Sequence, residues 1–289
     1  NTVDLSPLTT TVFDTSRGVI IPNIAVIDET SNDFVFGSTQ LDDDGDPAHD
    51  LRFFFDKSKG AFRAGRQPRT AWDEINVGFS STAFGDRTTA FGGSSMAWGS
   101  LAKAQGGSST AFGIRSDASG TSATAWGKNT VASGESSTAF GNQTTASTSF
   151  TTTWGEYTKA SGVAATAFGS TTVASGHYAT AWGAHTQAVG MATTTFGLGT
   201  YAYTFGATSI GSYNTVDSTQ DRENWDKNDR LFVIGNGTGG NNRSDALIFY
   251  KSGKSKFGNN IGLYNNWLNN DGDNEGIRVT DNGYVGICP

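Results

Sequence analysis

A single cysteine, Cys288, stands in a chain of 289 residues, so no internal disulfide staples it and stability has to come from packing and association. Next to the last residue, it reads as an incidental terminal thiol more than as a reactive or crosslinking one. No apolar run approaches the roughly 18 residues of a membrane-spanning helix. No signal-peptide pattern opens the sequence, and Asn1 in first place leads us to expect a processed or truncated product. Basic charge is also scarce: 20 Lys and Arg against 27 Asp and Glu leave a net charge of −7 and a pI near 4.9. No Lys/Arg cluster is interleaved with aromatics, which argues against nucleic acid as a partner. Leu, Ile, Val and Phe make up only about a fifth of the residues, a level that indicates disorder in an aperiodic chain. The length allows two or three domains.

Periodicity overturns the disordered reading. An aromatic residue followed by glycine recurs at every fourteenth position, with Phe and Trp alternating: Phe84, Trp98, Phe112, Trp126, Phe140, Trp154, Phe168, Trp182 and Phe196. A second anchor lies midway, at Ala90, Ala104, Ala118, Ala132, Ala146, Ala160, Ala174, Ala188 and Ala202. The consensus is Thr-Ala-Phe/Trp-Gly-x-x-Thr-x-Ala-Ser-Gly-x-x-Ser. A fixed short period means a solenoid whose units bury themselves only by stacking on their neighbours. Helix is a poor alternative, since two Gly per unit would cost roughly 1 kcal/mol each and no 3.6-residue stripe is present. Each half is expected to be a strand of about four residues ending at a glycine that turns tightly or takes positive φ. Coils stacked about 4.8 Å apart then give a rod on the order of 45 Å long.

Strand alternation places Ser81 and Ala83 on one face and Thr82 and Phe84 on the other. A coil this small encloses little space, which suits Ala83, Ala90, Ala104, Ala118, Ala132, Ala160, Ala174 and Ala188 as its interior. The aromatics then face outward as an apolar band larger than soluble monomers normally expose. Copies of the chain around a symmetry axis are the simplest cover for a repeated stripe.

This pattern resembles the head of trimeric autotransporter adhesins, the YadA-like head, whose repeat reads Ser-Val-Ala-Ile-Gly-x-x-Ser-x-Ala-x-Gly. The likeness spans about residues 74–216 and departs from the family in having Phe or Trp where Ile is usual. It implies an all-β fold, a left-handed parallel β-roll, and a homotrimer with the nine aromatics at the axis. It also implies an extracellular, non-enzymatic role in binding a cell-surface glycan or protein receptor, without membrane insertion by this segment.

The flanks lack the period. Residues 1–73 read as a β-rich cap or neck with strand-like runs at Arg17–Pro22, Asp33–Gly37, Leu51–Phe55 and Gly60–Gly65, and Gly18–Pro22 is similar to segments near the start of phage tail-fibre and bacterial surface-fibre proteins. Residues 217–289 read as a second β-rich module with strands at Leu231–Gly237 and Asp245–Tyr250 and a further hairpin around Gly253–Gly258. Its ending, Asp281–Ile287, resembles a segment that precedes a chaperone or anchoring module in trimeric fibres. Terminal repeats of a solenoid need covering against edge pairing, which gives both flanks a structural role.

Candidate chemistry is thin. The loops Asp42–Asp46 and Asn269–Glu275 have the composition of Ca²⁺ loops but not the EF-hand spacing, so they read as solvated turns. Asp42, Asp44 and Asp46 are the better ligands if an ion is held; otherwise no cofactor is expected. The only histidines, His49, His177 and His185, have no nucleophile or acid fixed beside them, so no enzyme is expected. A threonine column at Thr88, Thr130, Thr144, Thr158, Thr172, Thr186 and Thr200, interrupted by Ala102 and Ser116, is placed on a solvated face, where it invites an ice-binding reading. Variable turn residues such as Asp86, Arg87, Lys128, Asn129, Glu156, Tyr157, His177 and Tyr178 are where a rod can carry recognition. The competing readings are therefore a trimeric adhesin or tail-fibre segment, a self-assembling filament subunit, and an ice-binding protein.

Overall fold

The computed structural model describes residues 34–37, 42–258, 267–268, 276–279 and 285–288. The runs at 17–22 and 269–275, and most of 281–287, lie outside the described residues. Apart from three short 3-10 turns at Pro47–His49, Thr70–Trp72 and Glu74–Asn76, every described element is a strand.

The repeat forms a two-sheet solenoid in which one repeat unit makes one coil. Its strands are unequal, not two of matched length: each coil has a five-residue strand such as Thr124–Lys128 and a two-residue strand such as Val131–Ala132. Neighbouring coils pair in parallel without slip, so Trp126 stands beside Phe112 on one side and Phe140 on the other. The short strands form a separate nine-stranded sheet. Within the repeat, strand residues of both sheets therefore pair with their own equivalents in the neighbouring coils, which is why a local pattern builds the ladder.

The two glycine columns act differently. Gly85 and its equivalents take positive φ inside the long strand, +116° at Gly85 and +136° at Gly127. A Cβ on Gly127 would lie 1.9 Å from the Gly141 carbonyl oxygen. The glycines of the second half are not in that region and serve close approach instead; Thr148 stands in their column, its hydroxyl donating to the Gly162 carbonyl at 2.9 Å. The tight turns use other residues: Arg115, Asn129, Ser136 and Ala164 have φ between 52° and 55°. Side chains in that left-handed region cost roughly 1–2 kcal/mol each, which coil stacking must outweigh.

The interior is narrow and built of small residues. In one coil Ser137, Ala139, Thr144 and Ala146 are all 0% exposed, and the interior alanines named above are all buried in the same way. The threonine column is corrected here: Thr88, Thr130, Thr144, Thr158, Thr172, Thr186 and Thr200 point into the coil and are at most 1% exposed. The left-handed residue before each breaks strict alternation and turns the following Thr inward, two residues ahead of the interior Ala. A buried column has no contact with ice, so the ice-binding reading loses its basis.

Both flanks join the long-strand sheet. The hairpin Leu51–Asp56 and Ala61–Arg66 is antiparallel, and its second strand pairs in parallel with Thr82–Asp86, Gly65 beside Gly85. At the other end Thr208–Ser212 pairs in parallel with Arg230–Asn236, which continues antiparallel through Asp245–Tyr250 to Ser255–Phe257. Trp267–Leu268, Gly276–Val279 and Val285–Cys288 form a separate antiparallel sheet.

Each end of the coil is closed by a side chain. Arg63 stands in register with interior Ala83 and is fully buried. Its guanidinium donates to the Ser81 carbonyl at 3.0 Å, the Ala90 carbonyl at 3.1 Å and the Ser81 hydroxyl at 2.8 Å. Burial pushes its pKa down to about 10, with Asp56 opposing the shift. Beside it, Trp72 Nε1 and Gln67 Nε2 donate to the Thr88 carbonyl at 2.9 and 3.0 Å. At the far end Asn214, the next position in the Thr200 column, bonds the backbone of Tyr201 through its amide.

Candidate functional site

The outward face of the long strands is the most regular surface of the molecule. Each strand contributes three outward residues, so the face consists of three columns. One column is threonine at Thr82, Thr110, Thr124, Thr138, Thr152, Thr166, Thr180, Thr194 and Thr208, with Met96 as its one exception. The middle column is aromatic. The third varies: Asp86, Ser100, Ile114, Lys128, Asn142, Glu156, Ser170, Ala184 and Leu198.

The nine aromatic side chains form one run of rings. Successive centroids from Phe84 to Phe196 lie 4.7–5.8 Å apart with tilted or edge-on planes. Such pairs contribute about 0.5–1.5 kcal/mol each beyond area burial, so the column stiffens the rod as well as marking its face. The tryptophans protrude: Trp98, Trp126, Trp154 and Trp182 are 48–52% exposed. Strand spacing explains the arrangement, because identical positions on adjacent parallel strands sit about 4.8 Å apart. The column extends to residues that the period does not reach. Phe62 lies 5.1 Å from Phe84, and Phe53 lies 5.0 Å from Phe62. The only local trace of this was the Gly65 that pairs with Gly85.

The turns carry the polar candidates. Tyr157 accepts a hydrogen bond from Gln143 Nε2 at 3.1 Å, and Asn142 Nδ2 donates to Glu156 Oε1 at 3.0 Å. Tyr178 is 64% exposed, next to exposed His177, whose Nδ1 accepts the Val163 N–H at 3.1 Å. His185 is exposed on a different turn and His49 lies in the N-terminal loop, so the histidines are not brought together.

The carboxylates of the 42–46 loop serve the backbone. Asp42 accepts the Glu74 N–H at 2.9 Å, and Asp43 accepts the Gly45 N–H at 3.1 Å. Asp44 accepts the Asp46 N–H at 3.0 Å and lies 2.8 Å from His49 Nδ1. Those two contacts, the backbone bond foremost, hold the Asp44 carboxyl below its usual range. Among the described residues no group of three or more His, Cys, Asp or Glu is placed to hold a metal ion. Nor is any helix among them long and apolar enough to cross a membrane.

The segments 77–95, 104–130, 118–144, 132–152 and 160–186 match the family model of the YadA head domain repeat (2 copies). No curated protein matches the chain. Within residues 77–186 the coils of the solenoid thus match YadA head repeats.

Proposed function

From a solenoid of YadA head domain repeats, we propose that this chain is the head of a trimeric, adhesin-like surface fibre, and that it acts extracellularly by binding and not by catalysis. The outward aromatic column carries this reading. Four half-exposed tryptophans in an unbroken ring stack form an apolar band that a soluble protein covers, and three parallel copies about a common axis cover it along its whole length. Trp indole N–H groups facing that axis find acceptors in the neighbouring threonine column or in backbone carbonyls.

Recognition then falls to the turns. Tyr157, His177 and Tyr178 protrude without contributing to the coil interior, and their chemistry suits a glycan or protein receptor on a cell surface. Three copies of each weak contact raise avidity through effective concentration.

Light scattering tests the assembly. The wild type is expected at three times the chain mass, and Trp126→Ser at lower mass or with aggregation. A soluble monomer whose fold and mass do not respond to the substitution would refute the proposal.

A further inference from the structure

The association face does not stop where the repeat stops. We infer that both flanking hairpins continue the same interface and pack against the flanks of the other copies, an inference that rests on the assembly proposed above.

Register carries the columns outward in both directions. On the N-terminal side Phe84 neighbours Ala64, which neighbours Phe53, while Thr82 neighbours Phe62, which neighbours Phe55. On the C-terminal side the aromatic column runs Phe196, Ile210, Ile234, Leu247, Phe257, and the threonine column runs Thr208, Phe232, Phe249 before ending at Ser255. Every one of these flank positions except Ala64 and the terminal Ser255 is a large apolar residue. Phe53, Phe55, Phe249 and Phe257 remain 38–45% exposed.

These residues are not needed for the cores of the hairpins. The opposite faces of the same strands are already buried: Phe54 beside Arg52, Asp56 and Arg63 in the N-terminal hairpin, and Val233 and Ile248 at the C-terminal end. A hairpin packed on one face normally turns a polar face to water; here the outward face is apolar. Its occupant must match apolar rungs repeated at strand spacing across the sheet, from the N-terminal hairpin to the C-terminal one. Another copy of this chain has that spacing and length. Charge agrees, because the threonine and aromatic columns hold no charged residue along this length, so equivalent positions approach without like-charge repulsion.

Crosslinking decides the matter. In a Cys288→Ser background, Phe55→Cys, Thr152→Cys and Phe257→Cys place a thiol on the face at its two ends and its middle, the middle one in the outward threonine column so that the aromatic stack is kept. Lys103→Cys places one on the opposite, short-strand sheet. With a short bismaleimide, the first three are expected to yield covalent dimers on a denaturing gel and Lys103→Cys none. Leu51→Cys and Phe249→Cys, also outward on the flanks, replace any flank variant whose circular dichroism shows that it has not folded. Dimers from Thr152→Cys with none from either flank would overturn the extension while leaving the central assembly intact. Absence of dimers at Thr152, with the wild type at monomer mass in solution, would overturn the assembly itself.

Discussion

The Asn214 side chain occupies the place of the next peptide in the ladder: Oδ1 accepts the Tyr201 N–H at 2.7 Å, and Nδ2 donates to the Tyr201 carbonyl at 2.9 Å. In every earlier coil the equivalent N–H reaches a backbone carbonyl, as Gln187 N does with Thr200 O at 2.8 Å. A side-chain amide presents the same donor and acceptor as a peptide, so it ends a parallel ladder without orphaned groups. Asn214→Ala leaves both Tyr201 groups without partners and is expected to cost about 3 kcal/mol. Amide exchange at Tyr201 should rise sharply while Val131 and Thr145, deep in the stack, stay protected. Unchanged protection at Tyr201 would mean that another group caps the coil.

Gly127→Ala combines a φ of +136° with a Cβ placed 1.9 Å from a neighbouring carbonyl oxygen. A cost above about 4 kcal/mol or failure to fold is expected. Gly107→Ala, where nothing lies within 4 Å, should stay within about 0.5 kcal/mol of wild type. Thermal denaturation of the pair separates close approach from a general cost of losing glycine.

Ala164 holds φ at 55°. Ala164→Gly relieves that conformation but adds entropy to the unfolded chain, and the balance should favour the folded state by up to about 1 kcal/mol. A higher denaturant midpoint is the expected result; a lower one would show that the turn is unstrained.

Buried hydroxyls divide into two kinds. Thr144 Oγ1 has no hydrogen-bond partner, whereas Thr151 Oγ1 donates to the Thr148 carbonyl at 2.6 Å. Thr144→Val should therefore stabilise, and Thr151→Val should destabilise, each by about 1 kcal/mol. Opposite signs in paired equilibrium unfolding are the readout, and equal signs would refute the distinction.

Acid should act on the loops before the coil. The buried side chains from Ser81 to Ala207 are all Ala, Ser or Thr, so no buried titratable group links the solenoid to pH. Asp221 is held below its ordinary value of 3.8 by the Glu223 and Asn224 N–H groups, and Asp217 chiefly by the Thr219 hydroxyl. A lowered folded pKa contributes stability above the ordinary value that is lost as pH falls through the folded one. Hydrogen exchange below pH 3.8 should therefore rise in residues 217–229 while the coil strands stay protected. Concerted loss of both would show that the loop and coil unfold as one unit.

The period, the parallel stacking and the outward aromatics were legible in the chain alone, because each coil meets its neighbour exactly one repeat away and a short pattern suffices to describe the contact. The inward Thr column was misplaced on a solvated face, because the left-handed turn residue before each Thr breaks the alternation that counting along a strand assumes. Tertiary structure alone placed the flanks. Ala64 meets Phe84 and Ile210 meets Ile234, at separations along the chain that share no period with the repeat. Arg63 reads as a surface charge until pairing sets it over the open coil, and Asn214 as a loop residue until it faces Tyr201. Local spacing determines a repeating coil; how the coil begins and ends depends on contacts that only the folded chain brings together.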